Sequence, residues 1–155
     1  MKVSEKGIAL IARFEGFRAE AYQDVVGVWT IGFGETWLGA RRVQKGDVLN
    51  RQEAADRLRE RLDRDFGPAV VAACARAPGL ATLTQAQFDA CCSLAYNIGT
   101  AGFAGSTVAR KIRAGDLAGA ADAFLLWNKA KGRVLPVLVN RRSAERKIFL
   151  QGYPS

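Results

Sequence analysis

The chain has 155 residues, 49% apolar and 25% charged, enough for one folded domain with a real core; general disorder is excluded. Its 23 Lys and Arg against 15 Asp and Glu give a formal charge of +8, which implies an anionic partner or surface: nucleic acid, phospholipid headgroups and bacterial wall polymers all qualify. Three cysteines (Cys74, Cys91, Cys92) and no histidine argue against a disulfide framework or a zinc site, so the thiols are expected to be small buried residues.

Along the chain, the run Ile8 to Phe14 is too short and too interrupted for a signal peptide or a membrane span, so folding in a reducing cytoplasm is expected. Ser4 reads as the cap of a short amphipathic helix through Ile8, Leu10, Ile11 and Phe14, ended by Gly16, which places Glu15 at its C-terminal end. Tyr22 to Phe33 is rich in β-branched and aromatic residues around Gly27 and predicts a hairpin. Gly32, Gly34 and Gly39 suggest a thin third strand, giving a small sheet from about 21 to 44. Asn50 to Glu53 is a capping-box pattern that opens a long charged helix from Arg51 to about Ala77, with a kink or break expected near Gly67-Pro68.

Pro78-Gly79 marks a turn, and Thr84 to Gln87 is a second capping box opening a helix that Gly99 ends. Ser106 caps a short helix ending at Gly115, and Asp116 caps the next, to about Trp127. Asn128 to Pro136 reads as a basic polar loop, and a last helix runs from about Val137 to Leu150. The class is α+β, mainly helical: a two-lobed single domain with a small N-terminal sheet lobe (about 12–50), a connecting helix and a helical bundle (1–11 and 51–155), with a cleft between the lobes.

Glu15, Asp24 and Thr30 stand nine and six residues apart, on a helix end and on the two strands of the following hairpin. Glycoside hydrolysis needs two carboxyl groups in unlike settings, one giving a proton to the leaving oxygen and the other serving water or the sugar. Apolar neighbours at Ile11, Phe14 and Phe17 suit Glu15 to the acid role, a polar turn suits Asp24 to the second, and Thr30 could hold a water against Asp24. By spacing alone, the same three residues read equally as a surface Glu, a turn-forming Asp and a strand Thr.

The segments Phe14-Glu15-Gly16-Phe17, Ala21-Tyr22-Gln23-Asp24 and Gly27-Val28-Trp29-Thr30-Ile31-Gly32-Phe33-Gly34 resemble the active-site signature of the phage lysozymes, family 24 of the glycoside hydrolases. Gln85 to Asp89 with Tyr96 to Gly99 resembles that family's central helix, and Val139 to Glu145 its closing helix. The resemblance implies an endolysin that hydrolyses the β-1,4 bond between N-acetylmuramic acid and N-acetylglucosamine in peptidoglycan and lyses the host. It makes Glu15 the general acid, Asp24 the base or electrostatic partner and Thr30 the water-positioning residue. No cofactor or metal is implied. The expected partner is the peptidoglycan glycan strand, met by a monomer that waits in the host cytoplasm until a holin gives it access to the wall.

The chain departs from the family's habit at Glu35, expected to face solvent, and at Val137, where the family commonly has Gly. The resemblance makes one of Arg141 and Arg142 a candidate partner of Glu15, the alternative being two solvated guanidiniums on a basic helix. Tyr96, Asn97, Phe103, Ser106, Trp127 and Arg141 are candidate saccharide contacts, and core packing is the competing role for Phe103 and Trp127. Two other functions fit parts of the pattern: a lytic transglycosylase giving anhydro-muramic products, and a basic nucleic-acid-binding domain, which lacks any specific recognition motif. The apolar face at Ile148 to Leu150 is too short for stable membrane insertion.

Overall fold

In the computed structural model, which describes residues 1–76, 78 and 80–154, Ser4 caps the first helix as expected. Its hydroxyl accepts from the Gly7 N–H at 3.1 Å. The helix, α1, runs Glu5–Glu15, and Gly16, at φ 71°, ends it with an N–H···O bond of 3.0 Å to Ala12. The architecture is mostly helical with small two-stranded antiparallel sheets, so the expected class holds. The chain divides into two compact units, residues 8–61 and residues 1–7 with 62–155.

In the unit of residues 8–61, β1 (Arg18–Gln23) pairs antiparallel with β2 (Trp29–Gly32), bringing Tyr22 opposite Thr30 and Gln23 opposite Trp29. The expected third strand of one sheet is replaced by a separate pair, β3 (Trp37–Leu38) with β4 (Arg41–Arg42). Gly32 and Gly34 take φ of 63° and 90°, and these left-handed residues fold the chain back so that Glu35 bridges Ile31 before a strand can run beside β2. Helix α2 (Arg51–Arg61) starts with the expected box, Glu53 N–H to Asn50 Oδ1 at 2.8 Å and Asn50 N–H to Glu53 Oε2 at 2.9 Å. It packs closely on β2: a Cβ at Gly32 would lie 3.2 Å from the Ala54 Cβ. Ile31, Phe33, Val43, Leu49, Ala54 and Leu58 are buried here.

The break in the long helix comes near Gly67-Pro68, as expected. Residues Leu62–Phe66 form a π-helical turn, and α3 (Gly67–Ala73) follows with Pro68 in its first turn. Proline has no N–H and crowds the carbonyl four residues back, so widening the turn just before it removes the clash, and Pro68 then sits where a helix tolerates it. The expected continuation to Ala77 stops at Ala73; Ala77, and Gly79 of the expected turn, lie outside the described residues.

The second unit is built on α4 (Gln85–Ile98), opened by the Thr84–Gln87 capping box. Phe88 through Ala95 are all buried, so this helix is enclosed on every side. The unit adds α5 (Thr100–Ala104), which was not expected, α6 (Thr107–Arg113, capped by Ser106) and α7 (Leu117–Phe124, capped by Asp116). The presumed loop after it contains a small hairpin, β5 (Lys129–Ala130) with β6 (Arg133–Val134), and α8 (Pro136–Gln151) ends at Gly152. Cys74, Cys91 and Cys92 are free and buried, as expected; burial pushes the Cys92 thiol up.

Two polar residues of α4, Asp89 and Ser93, are fully buried and must find partners. Asp89 gathers four donors: the Ser4 N–H at 3.1 Å, the Ser4 hydroxyl, the Gln85 amide at 2.8 Å and the Tyr153 hydroxyl at 2.8 Å. This one carboxylate ties residues near both chain ends to the central helix. Burial first, then Asp89, pushes the Tyr153 phenol up, so it stays a donor.

Gly7 makes this approach possible, since a Cβ there would stand 2.6 Å from Asp89 Cγ and 2.7 Å from Val3 Cγ1. Alanine gains about 1 kcal/mol of helix propensity over glycine, whereas overpacking costs about 1–3 kcal/mol and here also displaces a four-donor carboxylate. Gly7→Ala is therefore expected to lower stability in urea denaturation by about 1–2 kcal/mol net; equal or greater stability would show that the node can yield.

Candidate active site

Glu15, Asp24 and Thr30 all lie in the unit of residues 8–61. Glu15 is the last residue of α1 and half-buried. Asp24 follows β1 and is half-buried; Thr30, on β2, is 5% exposed.

The hairpin between Asp24 and Thr30 has a three-residue loop whose last member, Gly27, is left-handed at φ 85°, the usual device for such loops. The Asp24 carbonyl accepts from Gly27 at 3.0 Å and so leaves the ladder. The side chain replaces it: Asp24 Oδ1 accepts from the Val28 N–H and the Val26 N–H, each at 2.9 Å, while Asp24 N–H donates to the Val28 carbonyl at 2.9 Å. Among the described residues Oδ2 makes no hydrogen bond.

The Thr30 hydroxyl donates to the Val28 carbonyl at 3.0 Å, so its proton is committed and toward any other group it can only accept. Thr30 stands opposite Tyr22, two residues before Asp24.

Glu35 corrects the sequence expectation of a solvent-facing acid. It is 4% exposed, exchanges both backbone hydrogen bonds with Ile31 (2.9 and 2.8 Å), and pairs with Arg61 Nη1 at 3.0 Å. The glycine-driven reversal after Ile31 turns it inward, and Arg61, at the end of α2, neutralises it. Phe17 and Phe33 pack at 5.6 Å between centroids, with Arg51 over both rings.

The remaining candidates belong to the other unit. Tyr96 and Trp127 are half-buried, the Tyr96 ring lying 5.0 Å from Phe66, and Asn97 is exposed. Phe103 is 1% exposed, a core residue with no face to offer a sugar. Ser106 is buried, its hydroxyl donating to the Phe103 carbonyl at 2.6 Å and accepting from Ala109 at 3.1 Å, the geometry of a helix cap. Val137 is exposed in the first turn of α8.

Arg141 and Arg142 are not solvated: both are buried on Glu145, which the sequence reading passed over as a partner. Arg141 Nε donates to Glu145 Oε1 at 3.2 Å and its Nη2 to the Ser93 carbonyl at 3.0 Å; Arg142 Nε lies 2.8 Å from Glu145 Oε2, and the Ser93 hydroxyl donates to Oε1 at 2.6 Å. The Arg-Arg-Ser-Ala-Glu spacing, which sets Glu145 three and four residues after the arginines on one helix face, was the available signal. Burial pushes the Glu145 carboxyl up, and the two guanidiniums pull it back.

The phage lysozyme family model matches residues 12–145. The chain belongs to the phage lysozyme family. It is 42% identical over 153 residues to an endolysin of Acyrthosiphon pisum secondary endosymbiont phage 1, covering 96% of this chain and 98% of that one. It is 40% identical over 151 residues to the endolysin of Salmonella phage P22, covering 97% and 99%. A crystal structure of a P22 lysozyme point mutant superposes with a TM-score of 0.83 at 39% identity, covering 97% and 99%. The protein is therefore a lysozyme, an enzyme of peptidoglycan degradation and lysis, and the transglycosylase and nucleic-acid alternatives receive no support. No helix among the described residues is long and apolar enough to cross a membrane.

In this lysozyme, Glu145→Gln removes the buried carboxylate charge that Arg141 and Arg142 share. Glu145→Gln is expected to cost about 3–5 kcal/mol in urea unfolding. A loss under about 1 kcal/mol would mean that water or another group neutralises the arginines.

Proposed function

We propose that Glu15, Asp24 and Thr30 carry out the hydrolysis, with Glu15 as proton donor, Asp24 as base and Thr30 as the residue that holds the attacking water. The observation that carries this division of roles is the hydrogen bonding of the hairpin, in which Asp24 uses one carboxylate oxygen for the turn and Thr30 commits its hydroxyl proton to Val28.

A water between them donates one hydrogen to Thr30 Oγ1 and the other to Asp24 Oδ2, which aims an oxygen lone pair at the anomeric carbon. As the C–O bond to the leaving sugar breaks, Glu15 delivers its proton to the departing oxygen. The water oxygen bonds to the anomeric carbon and Asp24 takes its proton. Attack from the face opposite the leaving group inverts the anomeric centre. Thr30 cannot be the base, because its hydroxyl is far too weak. Tyr96, Asn97 and Trp127, which keep accessible surface, are the proposed saccharide contacts; Phe103, Ser106 and Arg141 act through the fold.

The substrate is the glycan strand of peptidoglycan, reached by a monomer once a holin has opened the inner membrane of the host. The endolysin relatives support the cell wall as the target. Cytoplasmic expression alone should leave host cells intact and holin co-expression should lyse them; lysis without a holin would refute it.

Glu15→Gln should fold normally and lose at least about 100-fold in turnover on purified peptidoglycan. Thr30→Ala should lower kcat more than it raises KM. NMR of the first-formed reducing ends should show the α anomer, with one water added per cut. A β product would refute the water-attack geometry, and full activity of Glu15→Gln would refute the acid assignment.

A further inference from the structure

The hairpin of β5 and β6 is unlike the other polar turns of the fold. Residues 129–137 are exposed without interruption. The surface carries Lys129, Lys131 and Arg133, and beside them Leu126 at 67%, Val134 at 54% and Val137 at 59% exposure. No acidic residue lies between Asp122 and Glu145 in the sequence. Asp122 is bonded to Arg146 at 2.7 Å, and Glu145 is buried with Arg141 and Arg142. Among the described residues no carboxylate pairs with Lys129, Lys131 or Arg133.

The hairpin is also built at a local cost. Lys129 pairs with Val134 and Ala130 with Arg133, leaving Lys131 and Gly132 as a two-residue turn at φ 50° and φ 75°. Two successive left-handed residues are the usual geometry of a tight hairpin, but that place favours Asn-Gly or Gly-Gly. Lys131 is the one described residue other than glycine with a positive φ. A cation stands at the tip where a turn-forming residue would be easier.

Charge alone would be explained by solvation, and exposed aliphatics alone by chance. Free cations on one exposed turn and exposed aliphatics in it and in its flanking residues, with no acid among them, fit a surface that is anionic outside and apolar just beneath. We propose that this hairpin, with Leu126 and Val137 at its base, docks the enzyme reversibly on an anionic phospholipid bilayer. The lysine and arginine heads meet headgroup phosphates while Leu126, Val134 and Val137 rest at the boundary with the acyl chains. Docking would hold the lysozyme beside the membrane that faces its polymeric substrate, without spanning it.

The test is partition of the intact enzyme between buffer and vesicles, followed by sedimentation and by the fluorescence of Trp127 next to the patch. Phosphatidylethanolamine–phosphatidylglycerol vesicles are compared with phosphatidylcholine alone. Wild type is expected to bind the anionic vesicles and not the neutral ones, less as salt rises. The variant Lys129→Ser/Lys131→Asn/Arg133→Ser keeps the turn, because Asn accepts the left-handed conformation, and should lose roughly tenfold or more in partition. Leu126→Gln/Val134→Thr/Val137→Gln should lose a similar factor with its charge intact. Both should cut lipid-free purified peptidoglycan at the wild-type rate, which separates failure here from failure of the catalytic assignment. Equal binding to both vesicle types, or unchanged partition of both variants, overturns the proposal. So does a fall in rate on lipid-free peptidoglycan with vesicle binding intact, which would assign the cations to the anionic wall instead.

Discussion

The hairpin between Asp24 and Thr30 closes through a side chain acting as main chain. The Asp24 carbonyl turns away to accept from Gly27, and the Val28 N–H it would have taken goes to Asp24 Oδ1. A short polar side chain that accepts from the backbone two and four residues on keeps both this tight loop and the pairing beyond it. That sets the direction of the carboxylate and fixes which oxygen remains for chemistry. Thr30 is held by the same short stretch, through the Val28 carbonyl, so the two groups proposed to grip the water share one rigid scaffold.

In the unit of residues 1–7 and 62–155 the governing problem is different. Helix α4 is enclosed, yet carries Asp89 and Ser93, so polar groups must be brought to it from elsewhere in the chain. Ser4 and Tyr153 come to Asp89, and Arg141, Arg142 and Glu145 come with α8 to Ser93. Such clusters are poor sources of net stability, but they punish the loss of any single member and so specify one arrangement. Arg141 belongs to that structural group rather than to the solvent-facing surface.

How much of this was legible in the sequence follows the range of the interaction. Ser4, Asn50, Thr84, Ser106 and Asp116 all cap the helices their positions suggest, because a cap needs only a side chain and an N–H three residues on. The hairpin around Gly27 was legible for the same reason. A break near Gly67-Pro68 was legible from the proline, but its form, a π turn over Leu62–Phe66, was not, since the clash it relieves reaches four residues upstream. The hairpin at Lys131-Gly132 was missed because a lysine stands where Asn or Gly would have signalled it. Glu35 read as solvent-facing because its partner, Arg61, is twenty-six residues away; the Arg141–Arg142–Glu145 cluster was written in one helix turn, but its burial depended on α4.

The account rests on Asp24 doing two jobs with two oxygens, and Asp24→Asn separates them. Asparagine keeps an oxygen for the Val26 and Val28 N–H groups and replaces the other by an amide that cannot take a proton. The measurement is turnover on purified peptidoglycan beside urea stability for Asp24→Asn and Asp24→Ala. The account predicts that the Asn variant keeps wild-type stability and loses at least about 100-fold in kcat, while the Ala variant loses both. An Asn variant that retains activity, or one destabilised as much as the Ala variant, would contradict it.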